Sequence, residues 1–349
     1  MSTESSVLNF LNRTLVIDGH FDLLMDVQVQ REKGRTKVIE MDYLPRFIEG
    51  EVNVVVAALF VDSQFLPEKA LSMALQQISA LHQEVEESPE KLMICYGADD
   101  MELAEKSGKI GFLLSLEGAE PLGKDLSLLR IFYELGVRNL GLVWSRRNEV
   151  GDGSYFQPVR EGRKGGITSF GVKVIEEAER LGITIDVSHL NDEGFWDVME
   201  IAKKPVIASH SNSRVLCGTM RNLTDEQIKA IASRNGVIGI NAVNMLVGDD
   251  DASSHIDQLI HHINHIIEVA GIQSISLGLD LCDDFLKYLS QEDLESMPRK
   301  PFDVISTHGQ LPQFVQQLVN QGYTEAELTA LLGGNLFRLF KREYESVIS

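Results

Sequence analysis

The sequence predicts an α/β chain folded as a (β/α)8 TIM-like barrel, on three observations. Short apolar runs alternate strictly with helical segments, the pattern of a parallel sheet. Eight such runs, near residues 15, 54, 111, 138, 184, 206, 237 and 276, fit one barrel over this length. An open doubly wound sheet would want a glycine-rich phosphate turn after its first strand, and Asp18-Gly-His-Phe-Asp22 does not supply one.

The elements follow in order. Leu15, Val16 and Ile17 read as a buried parallel strand that stops at Asp18-Gly19. Residues 23 to 50 are mixed and charged, with a helix expected near Asp42 to Glu49, and Val52 to Phe60 is a nearly continuous apolar strand. Pro67 opens a long amphipathic helix whose Leu71, Ala74, Leu75, Ile78 and Leu81 recur at threes and fours. After Pro89, the short segment Leu92 to Cys95 leads to a helix near Asp99 to Lys106, and then the strand Ile110 to Leu116 ends in Glu117-Gly118. Gly136 separates a helix near Leu126 to Leu135 from strand Val137 to Val143. Thr168 is an N-cap candidate for a helix to Leu181, and strand Ile183 to Val187 then delivers Ser188-His189. A helix at 192 to 203 and strand Val206 to Ala208 deliver Ser209-His210. Thr224-Asp-Glu-Gln227 is a capping box for a helix ending at Asn235-Gly236. Strand Val237 to Ile240, helix Ile256 to Ala270 and strand Ile275 to Leu279 bring the chain to Asp280; helices at about 309 to 320 and 324 to 345 complete it.

With 349 residues and 44% hydrophobic content, the chain can bury one large core. We expect a single domain, 1–349, with barrel insertions near 145–167 and 282–307. The balance of 32 basic against 52 acidic residues, a formal charge of −20, sets aside nucleic acid and anionic membranes as partners. Cys95, Cys217 and Cys282 have neither disulfide-framework nor thiolate-zinc spacing, which suits a reducing compartment. The polar stretch MSTESSVLNFLNRT lacks the apolar core of a secretory signal, and no apolar run is long enough to span a bilayer. A cytoplasmic protein is expected.

Polar residues recur where strands end: His20 and Asp22, Glu117, His189, His210 and Asp280. In a barrel these ends converge on one rim, where the fold places its chemistry. Alternate residues of an extended chain point the same way, so His20 and Asp22 can grip one metal ion. Three histidines and three carboxylates suit a pair of borderline-hard divalent ions, with a carboxylate bridging the two. As satisfied core polar groups, six such residues on five strands would be hard to explain, since buried charges need partners.

Two other patterns carry less. His255, His261, His262 and His265 share one helix, and His261 and His265 stand at the i, i+4 spacing of a zinc pair. That helix belongs on the outer ring, so polar surface positions are expected. The Gly-rich pieces at 151–153 and 162–166 do not open a helix in P-loop fashion and read as segments covering the site.

These residues resemble those of the membrane (renal) dipeptidases and their bacterial relatives, the M19 metallopeptidases. The matching pieces are VIDGHFD (16–22), SLEGAEPL (115–122), GGITSFGVKVIEEAERLGITIDVSH (165–189), PVIASHSNSR (205–214), MRNLTDEQI (220–228), SLGLD (276–280) and LLGGNLFRLF (331–340). The resemblance implies a barrel of the metal-dependent hydrolase type and two zinc ions per chain. It implies that His20 and Asp22 bind one zinc, His189 and His210 the other, and that Glu117 bridges both. Asp280 matches the family's catalytic aspartate, and Arg221 the arginine that holds the substrate's carboxylate. A homodimer is also implied. The sequence departs from the mammalian pattern at Trp144, which stands about where those members carry a substrate-binding histidine. Some of the oxyanion stabilisation would then come from metal, Arg146, Arg147 or Asn148, or be absent, and Trp144 and Asn148 are substrate-site candidates. The signal and lipid-anchor segments of the mammalian enzymes are not seen, in keeping with a bacterial cytosolic form.

The expected function is therefore hydrolysis of small dipeptides, L-Xaa-D-Xaa and/or L-Xaa-L-Xaa, by a metal-activated bridging water. Cleavage of an N-acyl amino acid or a lactam on the same metal frame is the first alternative, and a catalytically silent metal-binding protein the second.

Overall fold

The computed structural model describes residues 4–156 and 165–345. Its central sheet contains the strands β1 (Ile17–Phe21), β2 (Val54–Phe60), β3 (Ile110–Glu117) and β4 (Val137–Gly141), followed by β5 (Thr184–Asp186), β6 (Ile207–Ala208), β7 (Val237–Ile240) and β8 (Ile275–Leu277). They are hydrogen-bonded in that order, all parallel. The strands are buried throughout, as expected where helices cover a parallel sheet. The barrel is nearly closed. At the seam between β8 and β1, Leu279 N–H donates to Asp18 Oδ1 (2.9 Å) and Asp280 N–H to His20 O (3.2 Å).

A ninth strand, Leu92–Ile94, lies off this path. It pairs with Ile110–Phe112, the stretch of β3 preceding the part that meets β4. Inside the barrel, Gly239 and Gly278 admit the main chain of β6: a Cβ at either would meet Ser209 O at 1.8 Å. A side chain there would push His210 out of place.

Several helix boundaries follow local chemistry. Thr168 caps the helix Ser169–Leu181 through Gly171 N–H, and Gly182 ends it in the left-handed region at φ 81°. The capping box of Thr224 and Gln227 is present on the helix Asp225–Ser233. Other elements depart from expectation. The long helix after β2 begins at Ala70, beyond Pro67. Leu23–Glu32 is helical but buries every side chain from Leu23 to Gln28, so no one-sided apolar stripe announces it. The helix Glu4–Leu11 was also not anticipated; it buries Val7, Phe10 and Leu11. The terminal helix is broken. Gly333 leaves helical geometry between Glu325–Thr329 and Asn335–Glu345, and a Cβ there would lie 2.5 Å from Leu15 O.

The segment 282–307 returns over the mouth of the barrel. Tyr288 OH donates to Asp26 Oδ1 (2.6 Å), Ser290 N–H to Asp62 Oδ2 (2.9 Å), and Asp293 accepts from Ser63 N–H (3.0 Å). These bonds fix its apolar side chains above the strand ends.

Candidate metal centre and substrate cavity

The polar residues at five strand ends meet in one buried cluster. Glu117, the last residue of β3, stands at its centre: its Oε1 lies 3.0 Å from His189 Nε2, 3.5 Å from His210 Nε2 and 3.6 Å from His20 Nε2. His20 Nε2 also lies 3.4 Å from Asp22 Oδ2 and 3.8 Å from Asp280 Oδ1. His20, Glu117 and His210 converge closely enough to share one ion, as do His20, Asp22 and Asp280. Two donors held about 2 Å from one tetrahedral zinc stand roughly 3.3 Å apart, so these separations suit shared coordination.

Local structure aims each side chain. His189 and Asp280 adopt positive φ, 68° and 57°, a strained state for non-glycine residues that turns the chain as each strand ends. Ser145 Oγ meets His189 Nδ1 at 2.9 Å, and Ser209 Oγ meets His210 Nδ1 at 2.7 Å. Asp186 in turn accepts from the Ser209 hydroxyl and, at 2.9 Å, from the main-chain N–H groups of Ser188 and Ser209. With Nδ1 engaged on both rings, Nε2 is the nitrogen presented to Glu117, the outer support typical of metal-binding histidines. Asn241 Nδ2 donates to Asp280 Oδ2 at 2.7 Å, leaving Oδ1 on the His20 side.

The electrostatics suit a cation. Burial, reinforced by the Asp22 charge, drives the Glu117 carboxyl well above its ordinary range. Burial also pushes Asp280 up to about 7. At His20 burial opposes protonation, but the Glu117 and Asp22 carboxylates outweigh it and hold the imidazole well above its usual value. His189 and His210 shift the other way, through burial and then the positive charges of Arg221 and His20 respectively, which keeps them in the neutral form that binds metal. Both nitrogens of His20 and Oδ1 of Asp22 are buried without a hydrogen-bond partner. Three crowded carboxylates, neutral imidazoles and orphaned donor atoms fit metal ions.

A cavity opens above the cluster, bordered by Asp22, Glu117, His189, Arg221 and Asp280. Arg221 is buried, its guanidinium reaching His210 O (3.2 Å) and Ser211 Oγ (3.5 Å) while Nε lacks a partner. Desolvation lowers its pKa only to about 10, so it stays charged at neutral pH. Trp144 also lines the cavity. Asn148 does not: its Nδ2 donates to Leu142 O (2.9 Å) and its Oδ1 accepts from Val150 N–H (2.8 Å), so the amide shapes its own loop. Arg146 points to Val61 O and Arg147 to the Asp152 carboxylate, and neither borders the cavity.

The helix histidines fall outside the cluster, and one corrects expectation. His262 is buried, not superficial, bridging Ser213 N–H (3.1 Å) and Val247 O (2.9 Å). Of the Gly-rich pieces, 162–166 lies partly outside the described residues. Cys282, Asp283 and Asp303 make a further cluster near the cavity, satisfied internally through Asp303, which accepts from Cys282 N–H, Cys282 Sγ–H and Asp283 N–H. Sequence reasoning missed the supporting shell of Ser145, Asp186, Ser209 and Asn241. For two of these the signal was available, as Ser209 directly precedes His210 and Asp186 ends the strand before His189.

The sequence profile of the membrane dipeptidase family, peptidase family M19, matches residues 5–347. The chain belongs to this family. Among solved structures, it resembles an M19 metallo peptidase, dipeptidase AC, at 28% identity and a TM-score of 0.82, over 95% of this chain and 99% of that one. A metallo peptidase from Rhodobacter sphaeroides, liganded with a phosphinate mimic of the dipeptide L-Ala-D-Ala, matches at 26% identity and a TM-score of 0.82, again over 95% and 99%. Dipeptidase 3 of Mus musculus is 29% identical over 334 residues, which span 94% of this chain and 64% of the mouse protein. As an M19 member the chain is a metallodipeptidase, dependent on metal for activity. Among the described residues of this M19 chain, no helix is long and apolar enough to cross a membrane.

Proposed function

We propose that this M19 enzyme hydrolyses the peptide bond of small dipeptides, L-Xaa-D-Xaa and/or L-Xaa-L-Xaa, at a centre for two zinc ions. His20 and Asp22 would hold one ion, His189 and His210 the other, and Glu117 both. The observation that carries this reading is the buried convergence of the three histidines on Glu117, with Asp22 against His20 and with Asp280 and Arg221 on the same cavity. When bound, such ions acidify water and polarise a carbonyl.

The chain's own groups account for the rest. Asp280, aimed by Asn241, takes the proton of the attacking water at Oδ1 and passes it to the departing amine, a role worth about 10²–10⁴-fold. Arg221 pairs with the C-terminal carboxylate, which favours dipeptides over longer chains. The surrounding buried side chains exclude bulk water and strengthen both interactions. Three buried, unpaired cysteines are consistent with the cytoplasmic location we include in this reading, along with a homodimer.

A dipeptide panel varying the stereochemistry of the second residue, with metal content measured on the same sample, tests the proposal. Cleavage with about two zinc ions per chain is expected. Two bound ions without cleavage of any dipeptide would replace it with hydrolysis of an N-acyl amino acid or a lactam.

A further inference from the structure

The polar residues of the cavity lie on the side of the metal ligands and Arg221; the rest of its wall is almost wholly apolar. Two clusters supply it. Phe60 and Trp144, with ring centroids 4.7 Å apart, pack in one, and Val243, Met245 and Leu246 pack in the other. Phe285, Leu286 and Met297 belong to both and bridge them from the segment 282–307. All eight border the cavity, and beyond the metal ligands, Asp280 and Arg221 no charged side chain of the described residues does.

The two clusters are placed differently relative to Arg221. In the loop carrying that arginine, Cys217 Sγ donates to Met245 O (3.4 Å) and Asn222 Nδ2 to Leu246 O (2.9 Å). The Val243–Leu246 wall is thereby tied beside the guanidinium. Trp144 is held from the other side, against Phe60 and His189, its ring centroid 5.9 Å from that of the imidazole whose Nε2 Arg221 also reaches at 3.3 Å. Among the described residues, no hydrogen bond ties the Trp144 ring to the Arg221 loop.

We infer that this cavity selects dipeptides whose two side chains are uncharged and apolar, the Met245 wall receiving the C-terminal side chain and the Trp144 wall the N-terminal one. The inference rests on the dipeptidase reading above. An apolar side chain buries surface against these walls, whereas a charged one loses its water and meets no free counter-charge: Arg146, 4.9 Å behind the Trp144 ring, is already paired with Glu120 at 3.2 Å. Methionine adapts to different apolar shapes, so selection acts on polarity more than on outline.

The test uses the zinc-loaded enzyme and kcat/KM for Leu-Leu, Glu-Leu, Lys-Leu, Leu-Glu and Leu-Lys. We expect Leu-Leu to exceed each charged dipeptide by about tenfold or more, the discrimination an apolar pocket achieves. Equal values across the panel would overturn the inference while leaving the dipeptidase reading intact; no cleavage of any member, with the second residue in either the L or the D configuration, would remove that reading itself. Met245→Lys should narrow the Leu-Leu to Leu-Glu ratio and leave the Leu-Leu to Glu-Leu ratio in place, and Trp144→Lys should do the reverse. An unchanged pair of ratios in a folded, zinc-loaded variant would overturn the assignment of the walls. The wild-type panel decides the selectivity even where a variant fails to fold.

Discussion

The Asp18 carboxylate joins the buried His308 imidazole at 2.7 Å through Oδ2 while its Oδ1 accepts the Leu279 N–H across the barrel seam. One side chain thus substitutes for ladder bonds between the first and last strands and ties the segment after residue 307 to both. His20 and Asp280 are the next polar residues along these two strands, so the seam also sets their separation. Asp18→Ala leaves a buried imidazole and a main-chain donor without a partner. We expect a loss of about 2–6 kcal/mol of stability, about 1–3 for each buried polar group left unsatisfied, read from denaturant midpoints.

Ser209 connects Asp186 to His210 Nδ1. Ser209→Ala removes a hydroxyl and little volume, so the barrel should stay folded while the imidazole loses its orienting bond. Zinc affinity, titrated with a competing chelator, should fall about 10- to 100-fold, the range for outer-shell partners of metal ligands. Unchanged affinity would show that packing alone holds the ring.

Asp280→Asn keeps the size of the side chain and removes its capacity to accept and donate a proton. Metal content should be retained and kcat should fall by at least about 10²-fold. Loss of metal together with turnover would instead make Asp280 a ligand, which its 3.8 Å approach to His20 Nε2 would then explain.

Arg221→Lys keeps the charge but not the planar fork. For a free dipeptide, kcat/KM should fall by roughly 10- to 100-fold, since hydrogen bonds to charged groups are worth about 1.5–3 kcal/mol. For the same dipeptide amidated at its C-terminus the variant and wild type should differ little. An equal loss on both substrates would assign Arg221 to holding the His210 main chain, which it already touches at 3.2 Å.

Much was legible in the sequence because its signals are local. Continuous apolar runs, the Thr168 and Thr224 caps and the glycines after helices each act within a few residues, and the eight barrel strands fall close to where the pattern places them. The exception is the first, which does not stop at Asp18-Gly19 but runs through it from Ile17 to Phe21. Parallel strands also bring their ends to one rim, so His20, Asp22, Glu117, His189, His210 and Asp280 could be grouped from position alone. Burial hid other elements: the helix Leu23–Glu32 and His262 carry polar residues whose partners lie far along the chain.

By itself, then, the sequence determined the strand count, the parallel order and the set of ionisable residues at the strand ends, all consequences of short-range periodicity and chain direction. Only the tertiary structure decided which nitrogen of each histidine faces Glu117, that Asn148 serves its own loop, that Asp18 and His308 clamp the seam, and that segment 282–307 roofs the cavity with apolar side chains. The seam clamp, the His189 orientation and the roof depend on contacts between groups tens to hundreds of residues apart, whose distances are set by packing. The Asn148 and Ser209 bonds are local in the chain, but the fold around them settles which way those side chains turn.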